Sequence, residues 1–137
     1  MSAPPESEAV AREWLSLADE DLQSAQDLAK HGHRRQTCFL AQQSVEKSLK
    51  ALLTLRQISF GRTHNIENLA ALLVDAEKLG VLKPDVLDLS EYAVDARYPG
   101  FDANLLGEED VKRALEAARE VHQSIQRAFN HAKRAKD

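Results

Sequence analysis

The feature that constrains the fold most is an apolar residue at every third or fourth position, a spacing that continues through most of the chain. It is the period of an amphipathic α-helix, whereas half-buried strands alternate apolar and polar residues at every second position. Ala, Leu, Glu, Gln, Lys and Arg dominate the sequence, and aromatic residues make up only 5% of it, which also favours helices. A chain of 137 residues suits one compact domain. From the spacing and the composition together, we predict that this domain is all-α.

The spacing predicts helices over residues 8–31, 35–57, 64–79 and 85–96, and a last helix from Glu108 past Phe129. Gly32 and Gly80 are expected to end the first and third helices. Short connections between long amphipathic helices favour antiparallel neighbours. The expected architecture is an up-and-down helical bundle of about four long helices plus one short helix. This domain is expected to cover residues 8–137 after a flexible tail at 1–7.

Composition and charge exclude several classes of protein. The single cysteine, Cys38, cannot form an internal disulfide, which favours a reducing compartment. No apolar run approaches the roughly 18 residues of a membrane span, and residues 1–9 lack the pattern of a signal peptide. We therefore expect a cytoplasmic protein with no membrane association. The net charge of -4 argues against non-specific nucleic-acid binding by the whole surface.

Charged residues occupy positions near the predicted core. Asp21 falls on an otherwise apolar arc of the first helix. On the second helix, one stripe at three-to-four spacing lies along the margin of the inner face, while Lys47 is expected to point away from it. This stripe consists of Phe39, Gln43, Glu46 and Lys50. The second helix therefore brings both signs of charge towards an interhelical groove.

Arg97 and Tyr98 follow the fourth predicted helix. The planar guanidinium of Arg97 could pair with Asp21 or Glu46, or bind a phosphate. Two interpretations stay open at this point. In the structural one, these residues form a half-buried ion-pair network that fixes helix register, because charges near a core persist when they are paired. In the functional one, they line a polar pocket for a nucleotide or RNA.

The basic cluster at the end of the first helix also has two interpretations, a solvated loop or a patch that contacts phosphate. It consists of His31, His33, Arg34 and Arg35. The spacing of His31 and His33 could ligate a metal, but no cysteine pair or acidic neighbour completes a site, so we predict no metal. Gly-rich phosphate-binding loops are absent from the sequence.

Three further residues have chemistry that a site could use. His64 is expected either to cap the third helix or to turn into the interhelical groove. His122 lies on the flank of the last apolar stripe, where a hydrogen-bonded core histidine is expected. Cys38 is expected to behave as a small apolar residue, because no nucleophile motif surrounds it.

Four runs of sequence together resemble the HEPN domain, named for higher eukaryotes and prokaryotes nucleotide-binding. They are ADEDL at 18–22, AQQSVEKSLKALL at 41–53, THNIENL at 63–69 and ARYP at 96–99. The resemblance implies a five-helix fold with an up-and-down four-helix bundle, often dimeric and often encoded beside a minimal nucleotidyltransferase. It also implies that eight residues match the family's characteristic polar positions, namely Asp21, Gln43, Glu46, Lys47, Lys50, His64, Arg97 and Tyr98.

Many HEPN domains are metal-independent ribonucleases or toxins that use an arginine followed, after four to six residues, by a histidine. That motif is absent here. Arg97 is followed at the corresponding positions by residues 102–104, which are Asp, Ala and Asn, and Arg127 reaches His131 one residue too soon. We therefore assign no catalytic residue, although Arg97 and His64 could still meet across helices.

The favoured hypothesis is a homodimeric module that binds nucleotide and acts with a separate minimal nucleotidyltransferase, in a pair of toxin–antitoxin type, without a cofactor. Its polar groove would contain Asp21, Gln43, Glu46, Lys50, His64, Arg97 and Tyr98, with Lys50 and Arg97 as phosphate contacts. One alternative is a HEPN ribonuclease or toxin with a non-standard site that acts on RNA. Another is a purely structural dimer whose ion pairs only set the helix register.

Overall fold

The computed structural model describes residues 5–91 and 106–136. The helices are α1 (Pro5–Lys30), α2 (Arg34–Leu55), α3 (Ile66–Ala71), α4 (Ala76–Leu79), α5 (Pro84–Leu87) and α6 (Glu108–Lys136). A further helical turn occupies residues 89–91, and the described part of the chain contains no strand. The prediction of an all-α fold is confirmed. No helix within these residues combines the length and the apolar character that crossing a bilayer requires.

Small residues bring α1 and α2 close together. Ala11, Ala18 and Ala25 are fully buried and lie seven residues apart, so they follow one line along α1. The Ser44 hydroxyl on α2 donates a hydrogen bond of 2.8 Å to the carbonyl oxygen of Ala18. A larger side chain at Ala18 would separate the two backbones. This line of alanines therefore fixes how closely α1 lies along α2.

Larger side chains on α2 and α6 fill the rest of the core. Leu49, Leu52 and Leu53 of α2 are buried, as are Ile125 and Phe129 of α6. Burying a Leu, Ile or Phe side chain contributes about 1.5–3 kcal/mol relative to leaving it exposed. The three long helices therefore form the main body of the domain.

The ends of the long helices follow local signals. At Gly32 the backbone has φ 77°, a left-handed conformation that glycine adopts without steric cost. At the start of α6, the backbone N–H of Gly107 donates to the Asp110 carboxylate at 2.9 Å, and three acidic residues occupy the first turn, where the helix dipole favours them. The first helix begins at Pro5, earlier than the predicted residue 8.

The predicted third helix over 64–79 is divided into α3 and α4. Hydrogen bonds join Leu72 N to Leu69 O and Leu73 N to Ala70 O, a three-residue spacing that tightens the helix and ends it. The guanidinium of Arg56, just after α2, also binds the carboxylate of Asp75 at 2.6 and 2.9 Å. This contact holds the connection between α3 and α4 against the end of α2.

The fourth predicted helix, over 85–96, begins as α5, where Pro84 occupies the first helical turn. Proline is well tolerated there because its missing N–H would have no partner in any case. The helical hydrogen-bonding pattern is interrupted at Asp88. Residues 92–96 of this predicted helix lie outside the described residues.

Candidate functional site

A pair of opposite charges is buried on one side of α2. Glu46 and Lys50 lie one helical turn apart, and only 4% of the Glu46 side chain and 7% of the Lys50 side chain are exposed. Lys50 Nζ is 3.7 Å from Glu46 Oε2. Removing both charges from water has a large free-energy cost, which only close partners offset. Of the ion pairs in the described part of the chain, this one has the most deeply buried partners.

Two aromatic rings complete the surroundings of Lys50. Its Nζ lies 5.4 Å from the ring centroid of Trp14 on α1 and 5.7 Å from that of Phe60, which follows α2. Both are cation–π distances, at which the ring faces attract the ammonium. Trp14 and Phe60 are half-buried. They therefore replace part of the water that Lys50 loses and leave part of their own surface open.

His64 places an imidazole at the outer edge of this pair. Its Nδ1 is 3.2 Å from Glu46 Oε1, while 76% of its side chain is exposed. Glu46 Oε1 is buried and has no hydrogen-bond partner in the described part of the chain. The contact with His64 thus has the distance of an ion pair without the geometry of a hydrogen bond. A buried carboxylate oxygen of this kind can accept a hydrogen bond from an added group.

The loop that carries His64 is fixed by its neighbour. Asn65 is the N-cap of α3, and its side chain accepts a hydrogen bond of 3.0 Å from the backbone N–H of Asn68. The capping role considered for His64 therefore belongs to Asn65. As a result, the imidazole is available to Glu46.

A second ion pair lies on the same margin between α1 and α2. Lys47 Nζ is 2.7 Å from Asp21 Oδ2, with 23% and 18% of the two side chains exposed. The prediction that Lys47 points away from the groove is wrong. Asp21 lies two turns beyond Trp14 along α1, which puts a carboxylate within reach of the long Lys47 side chain. The partner of Asp21 is thus a lysine of the adjacent helix.

The remaining predicted residues are less closely connected to this group. Gln43 is half-buried, and its Nε2 donates to Oε1 of its neighbour Gln42 at 2.8 Å. Arg97 and Tyr98 lie outside the described residues. The structure therefore brings Glu46, Lys50 and His64 into contact, and it adds Trp14 and Phe60 to them. We call these five residues the Glu46–Lys50 site.

The sequence signals for Trp14 and Phe60 were weak. Trp14 falls among the apolar positions of the first helix that are expected to face the core, and Phe60 follows the predicted end of the second helix. The one available signal was Lys50 itself, four residues after Glu46, because a lysine close to the core is stabilised when aromatic rings lie beside its ammonium.

The basic cluster ties the α1–α2 loop to the start of α6. The guanidinium of Arg34 donates to the backbone oxygen of Leu106 at 2.8 Å and lies 4.0 Å from Glu108. The His31 Nδ1 lies 2.9 Å from the backbone oxygen of Asp27. These contacts favour a structural role for Arg34. Among the described residues, no group of three or more His, Cys, Asp or Glu side chains is positioned to hold a metal ion.

Two residues with chemistry that a site could use, His122 and Cys38, are buried. His122 is buried, but its Nε2 has no hydrogen-bond partner in residues 5–91 and 106–136 and lies 3.9 Å from Asp19 Oδ1. Its burial was predicted, whereas the expected hydrogen bond is absent at this nitrogen. Burial, together with the nearby charge of Asp110, raises the pKa of the Cys38 thiol to about 11. Such a thiol is a poor nucleophile near neutral pH.

Comparison with known proteins decides the family. The family model for the HEPN domain matches residues 11–128. This chain belongs to the HEPN family. A crystal structure of TT1696 from Thermus thermophilus is similar to this HEPN domain, with 30% sequence identity and a TM-score of 0.72 over 85% of this chain and 96% of that one.

Two archaeal proteins are also similar to this HEPN domain. The crystal structure of ST0689, described as an archaeal HEPN homologue, has a TM-score of 0.64 at 22% identity, over 85% of this chain and 94% of that one. It supports the shared fold. A Methanocaldococcus jannaschii protein named as a candidate toxin, MJ1304, is 35% identical over 97 residues, 65% of this chain. The match spans 63% of that protein's length.

Proposed function

We propose that this HEPN domain binds a nucleotide, free or at the end of an RNA, at the Glu46–Lys50 site. We further propose that it acts as a homodimer with a separate minimal nucleotidyltransferase, in a cytoplasmic pair of toxin–antitoxin type. The observation that carries the binding proposal is the burial of the Lys50 ammonium against Trp14 and Phe60, beside an exposed imidazole. Aromatic surface next to positive charge is a combination with which proteins bind bases and their phosphates.

Each group has a role in this binding. A base would stack on the open part of the Trp14 or Phe60 ring. The imidazole of His64, which is mostly exposed, would donate a hydrogen bond to a phosphate. The buried ammonium of Lys50 would add positive electrostatic potential beneath the bound nucleotide. Its near-complete burial makes direct phosphate contact a smaller part of its role than the sequence predicted, and Arg97 and Tyr98 are proposed to complete the site.

The toxin–antitoxin part of the proposal is supported by the relative named as a candidate toxin, which is 35% identical over 97 residues. The matched segment covers the larger part of each chain, but the remainder of the relative has no counterpart in this match. The partner role can be tested by affinity purification of the tagged chain from its own host at native expression, with stoichiometry by mass spectrometry. A near-equimolar nucleotidyltransferase is expected, whereas recovery of the homodimer alone would contradict the partner role.

The binding proposal is tested by titrating the full chain with ATP. Trp14 is the single tryptophan of the chain, so its emission reports directly on the site. We expect saturable quenching that weakens about tenfold in His64→Ala and in Arg97→Ala. His31→Ala is the matched control, because His31 is also exposed and belongs to the loop after α1. Quenching that is the same in all four proteins would refute the site assignment.

A second function, metal-independent RNA cleavage, is favoured by one observation. The Glu46 carboxylate lies 3.2 Å from Nδ1 of a mostly exposed histidine, and a carboxylate in that position can orient an imidazole for proton transfer. Incubation of RNA with the purified chain in the presence of a chelator separates the two functions. RNA cleavage that is abolished in His64→Ala would establish ribonuclease activity. RNA that stays intact would rule out this second function and leave nucleotide binding as the proposed function.

A further inference from the structure

The outer surface of α1 exposes apolar residues beside the Glu46–Lys50 site. Val10 is 47% exposed and Leu17 is 39% exposed, and they lie seven residues apart, so they fall on the same line of the helix. Trp14 lies between them, and Leu28 falls on the same line eleven residues after Leu17, beyond the polar residues Asp21 and Ser24; Trp14 and Leu28 are half-buried. We call Val10, Trp14, Leu17 and Leu28 the α1 stripe. Apolar side chains that share one line and remain open to water are suited to contact another protein.

A row of acidic residues runs along α1 next to this stripe. It consists of Glu6, Glu13, Glu20 and Asp27, each seven residues after the last, and we call it the acidic row. All four residues are exposed. Within the described part of the chain, no ion pair involves any of them. The row is therefore a line of uncompensated negative charge parallel to exposed apolar side chains.

The seven-residue spacing indicates the shape of the partner. It is the repeat with which one helix packs against another, with apolar residues at the seam and charged residues flanking it. From Glu6 to Asp27 the row extends about 32 Å at 1.5 Å per residue. A helix of similar length could follow the acidic row along its whole extent, with its apolar contacts concentrated at Val10, Trp14 and Leu17. An extended strand has a two-residue period and would not match it.

The charges of α1 indicate the chemistry of the partner. Its two cations, Arg12 and Lys30, lie on the side of the acidic row that faces away from the stripe. Arg12 lies 5.8 Å from the ring centroid of Phe129 on α6. No cation of α1 is therefore available to face the acidic row of a second copy. In an antiparallel two-fold pairing of α1 with α1, the two acidic rows would meet and repel each other.

We propose that the α1 stripe and the acidic row form a docking surface for a cationic amphipathic helix of a partner protein. The partner helix presents apolar side chains to Val10 and Leu17 and Lys or Arg side chains to the acidic row. This inference rests on the proposed function only in that it requires a protein partner. Docking here would bring the partner next to the Glu46–Lys50 site, because Trp14 belongs to both surfaces.

The test uses the full chain and a synthetic peptide of about 24 residues, long enough to span the row. The peptide carries leucines at the two seam positions of each heptad and lysines at the flanking positions, where they also repel self-association. A peptide of the same composition in scrambled order is the control for charge alone. We expect the heptad peptide to bind and shift Trp14 emission, and the scrambled peptide to bind at least tenfold more weakly.

Variants of the chain locate the surface. Glu13→Gln combined with Glu20→Gln should weaken binding of the labelled heptad peptide about fivefold, and Leu17→Ser should weaken it about tenfold. The matched control is Glu109→Gln combined with Glu116→Gln. These two glutamates of α6 are also exposed and seven residues apart, and neither forms an ion pair in the described part of the chain.

Three outcomes would overturn the proposal. They are equal weakening by the α1 and α6 double variants, equal binding of the scrambled peptide, and a change in the oligomeric state of the chain itself in Leu17→Ser. The last result would mean that a second copy covers the stripe. Failure of nucleotide binding is a separate result, since His64→Ala should weaken ATP binding about tenfold and leave peptide binding unchanged.

Discussion

Removing one charge of the Glu46–Lys50 pair should destabilise the fold much more than removing both. Glu46→Gln keeps the shape of the side chain but leaves the Lys50 ammonium buried against two aromatic rings without its carboxylate. Lys50→Met keeps most of the packing volume but leaves the carboxylate with His64 alone. The double variant Glu46→Gln/Lys50→Met has no buried charge at this position.

The magnitude follows from the distance and the burial. Two unit charges 3.7 Å apart attract each other by about 4.5 kcal/mol at an effective dielectric constant of about 20. Breaking a buried ion pair by removing one partner typically costs about 3–5 kcal/mol. Each single variant should therefore lose about 3–4 kcal/mol of unfolding free energy. The double variant should lie within about 1 kcal/mol of the wild type, because a neutral pair avoids the desolvation cost.

The measurement is urea denaturation near pH 7, followed by far-ultraviolet circular dichroism so that changes in Trp14 fluorescence do not interfere. The four proteins give a double-mutant cycle, and we expect a coupling free energy of about 5 kcal/mol or more, because two single losses of about 3 kcal/mol each far exceed the loss of about 1 kcal/mol in the double variant. A coupling near zero, with the two single losses adding up in the double variant, would refute the reasoning. It would mean that the two side chains contribute by packing and that their charges are solvated.

Three further predictions concern the Arg56–Asp75 ion pair, the burial of Cys38 and the packing of α1 against α2 at Ala18. The hydrogen bonds from Arg56 hold the pKa of Asp75 below its ordinary value. Their contribution to the free energy of unfolding is therefore fully present above the pKa that Asp75 has in the unfolded chain. It is lost as the pH falls through the lower pKa that Asp75 has in the folded protein. Arg56→Gln should cost less than about 1 kcal/mol near neutral pH, and its urea midpoint should approach that of the wild type as the pH falls below about 4; a difference that does not change with pH would contradict this. The Cys38 thiol, with its pKa raised to about 11, should resist alkylation near pH 8 until the chain unfolds; rapid labelling of the native protein would disprove its burial. Ala18→Leu should cost about 1–3 kcal/mol by overpacking, and unchanged stability would mean that α1 and α2 are not in close contact there.

The long helices could be predicted because their signals are local. An apolar stripe, a glycine stop and an acidic first turn each act within one helix, and α1, α2 and α6 follow them closely. The division of residues 64–79 into α3 and α4 could not be read in the same way. The connection between them is held by Arg56, which lies 19 residues before Asp75, and such a contact leaves no periodic signal in the sequence.

The site was predictable in its charges and not in its surroundings. Glu46, Lys50 and His64 could be grouped from spacing and family resemblance, and the structure places them in contact. That Trp14 and Phe60 approach Lys50 depends on how α1 crosses α2 and on the course of the chain after α2. Aromatic residues are also common in apolar cores, so the sequence alone offers no reason to distinguish these two from core residues.

The error at Lys47 has a specific physical cause. A helical wheel assumes one buried face, but 13 of the 22 residues of α2 are buried, because α1 and α6 pack on different sides of it. The wheel assigns Lys47 to solvent, but its side chain reaches α1, where Lys47 Nζ lies 2.7 Å from Asp21 Oδ2. The two lysines of α2 are thereby divided in role. Lys47 joins α1 to α2 across the helix pair, while Lys50, one turn further along, has its carboxylate partner on its own helix and lies against the faces of Trp14 and Phe60.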